Sequence, residues 1–184
     1  NHGNDLGNDN YQPAQVLIQL EESLRALRTD YIDIYQLHSA EDALFDNDAL
    51  WTMLDQQVRA GKVRFLGNSI GWPNMHQQVS RSKDFGISVI QTIYNAITTK
   101  AEEAVFPAAL AQDLGVIARV PLASGFLSGK YQPGHVFPRD DVRSMRPQQG
   151  IDRGINAALR ALGDKRAELE AATWANAWCL QQPL

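Results

Sequence analysis

The stretch Tyr31-Ile32-Asp33-Ile34-Tyr35-Gln36-Leu37-His38 indicates the fold class of this chain. Its pattern is closer to a continuous apolar run than to an alternation, which is typical of a strand covered on both faces in a parallel sheet. The period of two then places on one face Ile32, Ile34, Gln36 and His38. The strand therefore ends in an imidazole at its carboxyl end, where α/β folds place their chemistry. A histidine held by a local hydrogen bond at a strand end is the alternative interpretation of His38.

Composition narrows the class of protein. The length predicts one domain spanning residues 1–184. A formal net charge of −4 and scattered tryptophans offer no basic, aromatic surface for nucleic acid. No apolar run approaches the roughly 20 residues of a membrane span and the amino end does not resemble a signal peptide, so we expect a cytoplasmic protein. Cys179 has no partner for an internal disulfide, and its helical context predicts a small core residue rather than a nucleophile.

Strand and helix patterns alternate along the chain. Residues 1–10 have the composition of a loop. Strands are predicted near residues 31–37, 63–67, 87–91 and 116–120. One helix is predicted to start at Pro13, a second to follow a cap at Asp46 or Asn47, and a third to run from Pro73 to about Phe85. A further helix is predicted over 101–114, with a break near Pro107. The last two are predicted over 157–162 and 167–180, before Pro183. Residues 134–150 read as an irregular loop, with a solvated charge cluster at Asp140, Asp141, Arg143 and Arg146 and with Arg143 as a candidate phosphate ligand.

Four strand-helix units without a hairpin signal predict parallel strands joined by right-handed crossovers. A doubly wound sheet usually carries a G-x-G-x-x-G loop, which is absent here, whereas a (β/α)8 barrel needs none. In a barrel every strand end contributes to one site. The predicted strand ends carry polar side chains, namely His38, Asn68 with Ser69, Gln91 and Arg119. Polar strand ends are also expected simply because strand ends meet water.

Three segments carry a resemblance to a known family. They are 29–38 (Thr-Asp-Tyr-Ile-Asp-Ile-Tyr-Gln-Leu-His), 59–67 (Arg-Ala-Gly-Lys-Val-Arg-Phe-Leu-Gly) and 121–131 (Pro-Leu-Ala-Ser-Gly-Phe-Leu-Ser-Gly-Lys-Tyr). In this order and at this spacing they resemble successive signatures of the aldo-keto reductases. The resemblance implies a (β/α)8 TIM barrel that reduces aldehydes or ketones with NADPH, with a small-molecule carbonyl as the substrate and no metal.

The resemblance also implies roles for individual residues. His38 would hydrogen-bond and orient the substrate carbonyl, while Ser69 and Gln91 would bind the nicotinamide carboxamide. Ile70 stands where many members have an asparagine, and Arg119 stands where many place an aromatic ring against the nicotinamide. The loop that clasps the cofactor pyrophosphate would be formed by Pro121, Leu122, Ser124 and Lys130.

Other family elements have no counterpart in the printed residues. The catalytic tyrosine with its aspartate and lysine lies on the family's first three strands, and the segment that recognises the 2′-phosphate lies near the last one. None of Tyr31, Tyr35, Tyr94 and Tyr131 matches the catalytic position. We therefore expect an incomplete barrel of about four units, without the first three strands and the last, against the ~250 residues of a typical barrel. Such a chain alone is expected to be inactive. The alternatives are an NADPH-binding regulatory subunit, similar to the potassium-channel beta subunits, and a truncated fragment that only packs against partners.

Overall fold

A computed structural model of the chain describes residues 11–71, 75–165 and 168–181. The predicted loop at residues 1–10, the helix start at Pro73 and the helix stop at Pro183 lie outside these residues. Helices α1 to α8 in the described part are Pro13–Leu27, Asp42–Phe45, Asp48–Arg59, Met75–Ser80, Ala101–Ala104, Phe106–Ala111, Gln148–Leu162 and Glu168–Cys179. Short 3₁₀ segments span Ser82–Phe85, Ala123–Ser128 and Val142–Met145.

Four strands form one sheet in the order β1-β2-β3-β4. They span Ile32–His38, Val63–Ser69, Ile87–Ile93 and Gly115–Arg119. β1 pairs with β2 in parallel, and β2 pairs with β3 in parallel. The predicted strands and their order are therefore confirmed, and each boundary lies within about two residues of its prediction.

The described residues group into two compact units. The first lies within Asn1–Thr92 and Glu103–Ile117, and the second within Ile93–Glu102 and Ala118–Pro183. Each unit has its own internal packing. The single domain expected from chain length stays a prediction.

In the first unit, α3 packs against β2 and α1 packs against α3. The apolar stripe of α1 buries Val16, Leu20 and Leu24, as its three- and four-residue spacing predicts. Helix α3 is capped by Asn47, whose side chain accepts a 3.3 Å hydrogen bond from the Leu50 N–H. This result selects Asn47 over Asp46 as the cap.

The second unit is built around α7. This helix buries the stripe Ile151, Ile155, Ala158 and Leu162. Phe126 packs against the helix at Gly154, where an added Cβ would lie 2.6 Å from Phe126 Cε2. Glycine at position 154 therefore permits this close contact between α7 and the segment Ala123–Ser128.

Three local predictions are corrected by the structure. The expectation that β1 is covered on both faces is wrong, because Leu37 is its single buried residue and exposed Asp33 pairs with Arg64 at 2.6 Å. Helix α7 begins at Gln148, nine residues before the predicted start at 157. The helix predicted to run to Phe85 ends at Ser80 and continues as a 3₁₀ segment.

The predicted break near Pro107 is confirmed. The chain forms α5, has a turn at Val105, and starts α6 at Phe106 with Pro107 in its first turn. Proline is tolerated there because the first N–H groups of a helix have no intrahelical partner.

Candidate active site

His38 is the last residue of β1 and is exposed. The next residue, Ser39, has φ 53°, and its N–H donates a 2.7 Å hydrogen bond to the carbonyl oxygen of Ser69. The carbonyl oxygen of His38 accepts a 2.7 Å hydrogen bond from the Tyr11 hydroxyl. The peptide group that follows His38 is thus held at both its carbonyl oxygen and its N–H.

Two further predicted residues lie beside His38 in the first unit. Ser69 is the register partner of His38, and Gln91 is the register partner of Ser69. Since both strand pairs are parallel, these three residues occupy the carboxyl ends of three neighbouring strands. The predicted convergence of His38, Ser69 and Gln91 is observed, although their chemical roles are not tested by it.

Gly67 shapes the same face of the sheet. A Cβ at this position would lie 2.8 Å from Gln36 Cγ and 3.2 Å from Ile34 Cγ2. The side chains of Ile34 and Gln36 therefore cover the face that Gly67 leaves bare. By the period of two, His38 and Ser69 belong to this face as well.

Buried polar atoms on this face lack partners within the described residues. Ser69 is 3% exposed, and neither its Oγ nor Gln36 Oε1 has a hydrogen-bond partner there. Leaving such a group unsatisfied costs about 1–3 kcal/mol, so native proteins rarely keep one without a reason. A ligand with amide donors and acceptors, such as a nicotinamide carboxamide, fits this requirement.

Asn68 and Ile70 flank Ser69, and Ile70 stands where many family members have an asparagine. Ile70 is 1% exposed and packs in the core. Asn68 is 0% exposed, and its Nδ2 donates a 3.0 Å hydrogen bond to Gln78 Oε1 on α4. By the period of two, Asn68 lies on the opposite face from Ser69. The Asn68 side-chain N–H is therefore used within the protein, by Gln78 on α4.

Sequence analysis missed Gln78. Its Nε2 donates to the carbonyl oxygen of Ala40 and to Asp42 Oδ1, both at 2.9 Å. Gln78 thereby connects Asn68 on β2 to the segment after His38. A glutamine on a short helix gives no sequence signal for this role, because its partners are 10, 36 and 38 residues away.

The predicted pyrophosphate loop lies in the second unit and has an unusual backbone. Val120, Ala123 and Ser124 all have positive φ angles, of 61°, 50° and 59°. Pro121, Leu122 and Ser124 are half-buried, and Lys130 is exposed. Arg119 is half-buried at the end of β4. The joint role of these residues in binding a pyrophosphate stays a prediction.

Arg143 holds this segment. Its Nη1 donates to the carbonyl oxygen of Ser124 at 3.0 Å and to the Tyr131 hydroxyl at 3.1 Å. The guanidinium also lies 4.0 Å from the centre of the Phe137 ring. Arg146 Nη2 adds a 3.2 Å hydrogen bond to Ser124 Oγ. Both the carbonyl and the hydroxyl of Ser124 are therefore held by arginine side chains.

Asp141 completes the arrangement. Arg143 Nε and Nη2 donate to its two carboxylate oxygens at 2.9 and 2.6 Å. The hydrogen bonds from the Arg143 side chain and then from its backbone N–H lower the pKa of Asp141 to about 2. The prediction that Asp141 and Arg143 belong to a solvated charge cluster is wrong, because the Arg143 and Asp141 side chains are only 21% and 23% exposed. The Arg143 guanidinium is committed to protein groups instead of being open to a phosphate.

The tyrosines of the described chain are placed for other tasks. Burial raises the pKa of Tyr35, which makes its phenol a weaker acid. The Tyr94 hydroxyl donates a 2.6 Å hydrogen bond to Glu102, and the Tyr131 hydroxyl accepts from Arg143. Tyr31 stacks under the Arg64 guanidinium at 4.2 Å. That none of the four is the family's proton donor stays a prediction.

Two features of the described residues concern metal ions and membranes. Within 11–71, 75–165 and 168–181, no three His, Cys, Asp or Glu side chains are grouped to hold a metal ion. The helices in these same ranges are all too short or too polar to cross a membrane.

Comparison with known proteins decides the family. The model of the aldo/keto reductase family matches residues 3–184. The chain belongs to this family. The family consists of oxidoreductases, and the parallel α/β fold described above agrees with this membership.

Individual relatives support the assignment. The uncharacterized oxidoreductase YrpG of Bacillus subtilis is 33% identical over 90% of this chain and 51% of its own length. The Schizosaccharomyces pombe aldo-keto reductase yakc, whose name specifies NADP(+), is 28% identical over 76% of this chain and 41% of its own. The glycerol dehydrogenase AKR11B4 from Gluconobacter oxydans superposes with a TM-score of 0.75 at 28% identity, over 92% of this chain and 52% of that structure. The chain thus spans about half the length of these proteins.

Proposed function

We propose that this chain belongs to an NADPH-dependent reductase of aldehydes and ketones, and that its sheet is part of a (β/α)8 barrel. The proposal depends on one observation above all: the buried Ser69 hydroxyl, beside His38, has no hydrogen-bond partner among the described residues. A strand end with an orphaned hydroxyl and an exposed imidazole suits a polar ligand better than a purely structural role.

His38 is the proposed substrate-orienting residue. Its imidazole is exposed while its main chain is tied by the Tyr11 and Ser39 hydrogen bonds. A ring N–H donating to the carbonyl oxygen would align the substrate and stabilise the negative charge that develops there. The substrate class is therefore a small aldehyde or ketone.

Ser69 and Gln91 are the proposed ligands of the nicotinamide carboxamide. When bound, the reduced nicotinamide supplies the hydride. The Ser69 hydroxyl and the Gln91 amide at neighbouring register positions would select which face of the ring is presented. Arg119 is proposed to stack on the ring through its planar guanidinium.

Pro121, Leu122, Ser124 and Lys130 are proposed to bind the cofactor pyrophosphate. The exposed Lys130 ammonium would offset negative charge, and backbone N–H groups of a segment with positive φ angles at Val120, Ala123 and Ser124 would line the kind of concave surface that anions prefer. Arg146, which donates to the Ser124 hydroxyl, adds positive charge near it, whereas the charge of Arg143 is paired with Asp141.

The test uses the intact gene product with NADPH and an activated aromatic aldehyde. His38→Ala is expected to lower kcat/KM by roughly 10²-fold, because the developing charge loses its donor. Ser69→Ala is expected to weaken NADPH binding, and Ser80→Ala, which removes an exposed hydroxyl on α4, serves as the matched control. An unchanged kcat/KM in His38→Ala would contradict the assigned role. NADPH binding without turnover of any carbonyl would favour the regulatory alternative.

A further inference from the structure

Val120 adopts a backbone conformation that its side chain disfavours. Its φ of 61° lies in the left-handed region. A β-branched residue is a genuine outlier there, because the Cβ substituents crowd the backbone. Such strain persists only where surrounding contacts impose it, and it concentrates at functional segments.

Asn95 contacts the backbone of Val120 directly. Its side chain is 1% exposed, and its Nδ2 donates a 3.0 Å hydrogen bond to the carbonyl oxygen of Val120. Its Oδ1 accepts a 3.1 Å hydrogen bond from the Ile97 N–H. Both ends of the amide are therefore used, so the orientation of the side chain is defined.

The main chain of Asn95 is itself anchored. Its N–H and carbonyl oxygen exchange hydrogen bonds of 3.2 and 2.9 Å with Thr98 in an isolated bridge. The neighbouring Tyr94 N–H donates to the carbonyl oxygen of Arg119 at 3.3 Å. The Asn95 side chain that donates to the Val120 carbonyl oxygen is thus attached to a main chain that is itself held by hydrogen bonds.

The conformation of Val120 sets the path of the backbone through the next residues. Its carbonyl oxygen also accepts a 2.9 Å hydrogen bond from the Ala123 N–H, which closes the turn that leads into Ser124. At the far end of the segment, Arg143 holds the Ser124 carbonyl. The backbone between the two supports carries Pro121 and Leu122.

We propose that Asn95 is a positioning residue that keeps Val120 in its strained conformation and so pre-forms the backbone of residues 120–125 for a phosphate group. The inference rests on the proposed function for its ligand, the pyrophosphate of NADPH. Asn95 acts through the segment and touches no ligand. Without its hydrogen bond Val120 would relax to negative φ, and the binding-competent population would fall.

Two substitutions at Asn95 separate its hydrogen bonds. Asn95→Asp keeps the oxygen that accepts from Ile97 and loses the donor to Val120, whereas Asn95→Ala loses both. Val120→Gly removes the strain, because glycine adopts positive φ without cost. Asn176→Asp is the matched control, since Asn176 is exposed on α8 and also donates a 3.0 Å hydrogen bond to a backbone carbonyl.

The first measurement is hydrogen exchange of the backbone amides of residues 122–127 in the intact gene product without cofactor. We expect faster exchange in Asn95→Asp and Asn95→Ala, and no change in Asn176→Asp. Exchange that is unaltered in both Asn95 variants would overturn the proposed support, whatever the cofactor.

The second measurement is the dissociation constant of NADPH by titration. With valine at position 120, Asn95→Ala is expected to weaken NADPH binding about tenfold or more. With Val120→Gly present, the same substitution is expected to weaken binding by a smaller factor. Glycine adopts positive φ without strain, so the hydrogen bond from Asn95 is no longer needed to hold it. An equal loss in both backgrounds would show that Asn95 does not act through Val120 and would overturn the inference. Wild-type protein that binds no NADPH, yet shows the expected exchange pattern, would refute the proposed ligand and function while leaving the support itself intact.

Discussion

Asn68 Nδ2 donates a 3.0 Å hydrogen bond to Gln78 Oε1 in a fully buried setting. Through the second end of the same amide, Gln78 reaches the Ala40 carbonyl two residues after His38. This link connects the end of β2 with the turn that carries the proposed substrate-orienting histidine. The contribution of this link to the free energy of unfolding can be measured independently of catalysis.

Gln78→Leu is expected to lower the free energy of unfolding by about 1–3 kcal/mol, because it leaves the Asn68 amide and the Ala40 carbonyl buried without their partner. Urea denaturation measures this change. Gln56→Leu, at an exposed position of α3, is the control and is expected to have little effect. Equal stability of the two variants would show that the link contributes nothing.

Gly154 and Gly150 on α7 provide a matched pair. Gly154→Ala is expected to destabilise the protein by about 1–3 kcal/mol through overpacking, because its Cβ would lie 2.6 Å from Phe126 Cε2. Gly150→Ala meets no atom within 4 Å and is expected to stabilise by roughly 0.5–1 kcal/mol, since alanine loses less entropy in a helix. Shifts of the denaturant midpoint in opposite directions from wild type would confirm the prediction. An unchanged midpoint in Gly154→Ala would refute it.

The Asp141–Arg143 pair predicts a defined pH dependence. The pKa of Asp141 is lowered from 3.8 to about 2 in the folded protein. A lowered pKa contributes stability that is fully present above the unfolded value and is lost as pH falls through the folded one. The stability difference between wild type and Asp141→Asn should therefore be constant above about pH 4 and shrink toward pH 2. Urea midpoints across this range measure it, with exposed Asp140→Asn as the control; a difference that persists unchanged at pH 2 would contradict the assignment.

Cys179 is expected to react slowly with thiol reagents. Burial raises the pKa of its thiol, and its Sγ lies 3.5 Å from the carbonyl oxygen of Tyr94. A raised pKa leaves less thiolate at mildly alkaline pH, and the thiolate is the reactive form. The rate of modification by a disulfide reagent, compared with free cysteine, measures the effect. A rate equal to that of free cysteine would show that the thiol is neither buried nor held.

The 184 residues expressed alone are expected to show no measurable NADPH-dependent reduction of an activated aldehyde. The described tyrosines have other partners or, for Tyr35, a raised pKa, and a missing general acid costs ~10²- to 10⁴-fold in rate. Absorbance at the nicotinamide band measures turnover. Activity that disappears in the His38→Ala variant of the isolated chain would contradict this expectation.

Local rules were sufficient for much of the fold. The apolar pattern predicted a strand that ends near His38, the residue types of Asp46 and Asn47 predicted that one of them caps a helix, and the position of Pro107 predicted the break between α5 and α6. These features depend on residues that are neighbours in the chain, so the sequence alone determined them. The family motifs likewise identified the residues that meet at the carboxyl ends of β1, β2 and β3.

Tertiary structure decided what those residues touch. Alternation along β2 separates Asn68 from Ser69 but cannot say which face a helix covers, and only the packing of α4 turned Asn68 toward Gln78. The sequence made Arg143 a candidate phosphate ligand, but in the structure its guanidinium contacts Asp141, Ser124 and Phe137. The strain at Val120 and its support by Asn95 join residues 25 positions apart. Such contacts depend on which distant segments pack together, and propensities of single residues carry no information about that choice.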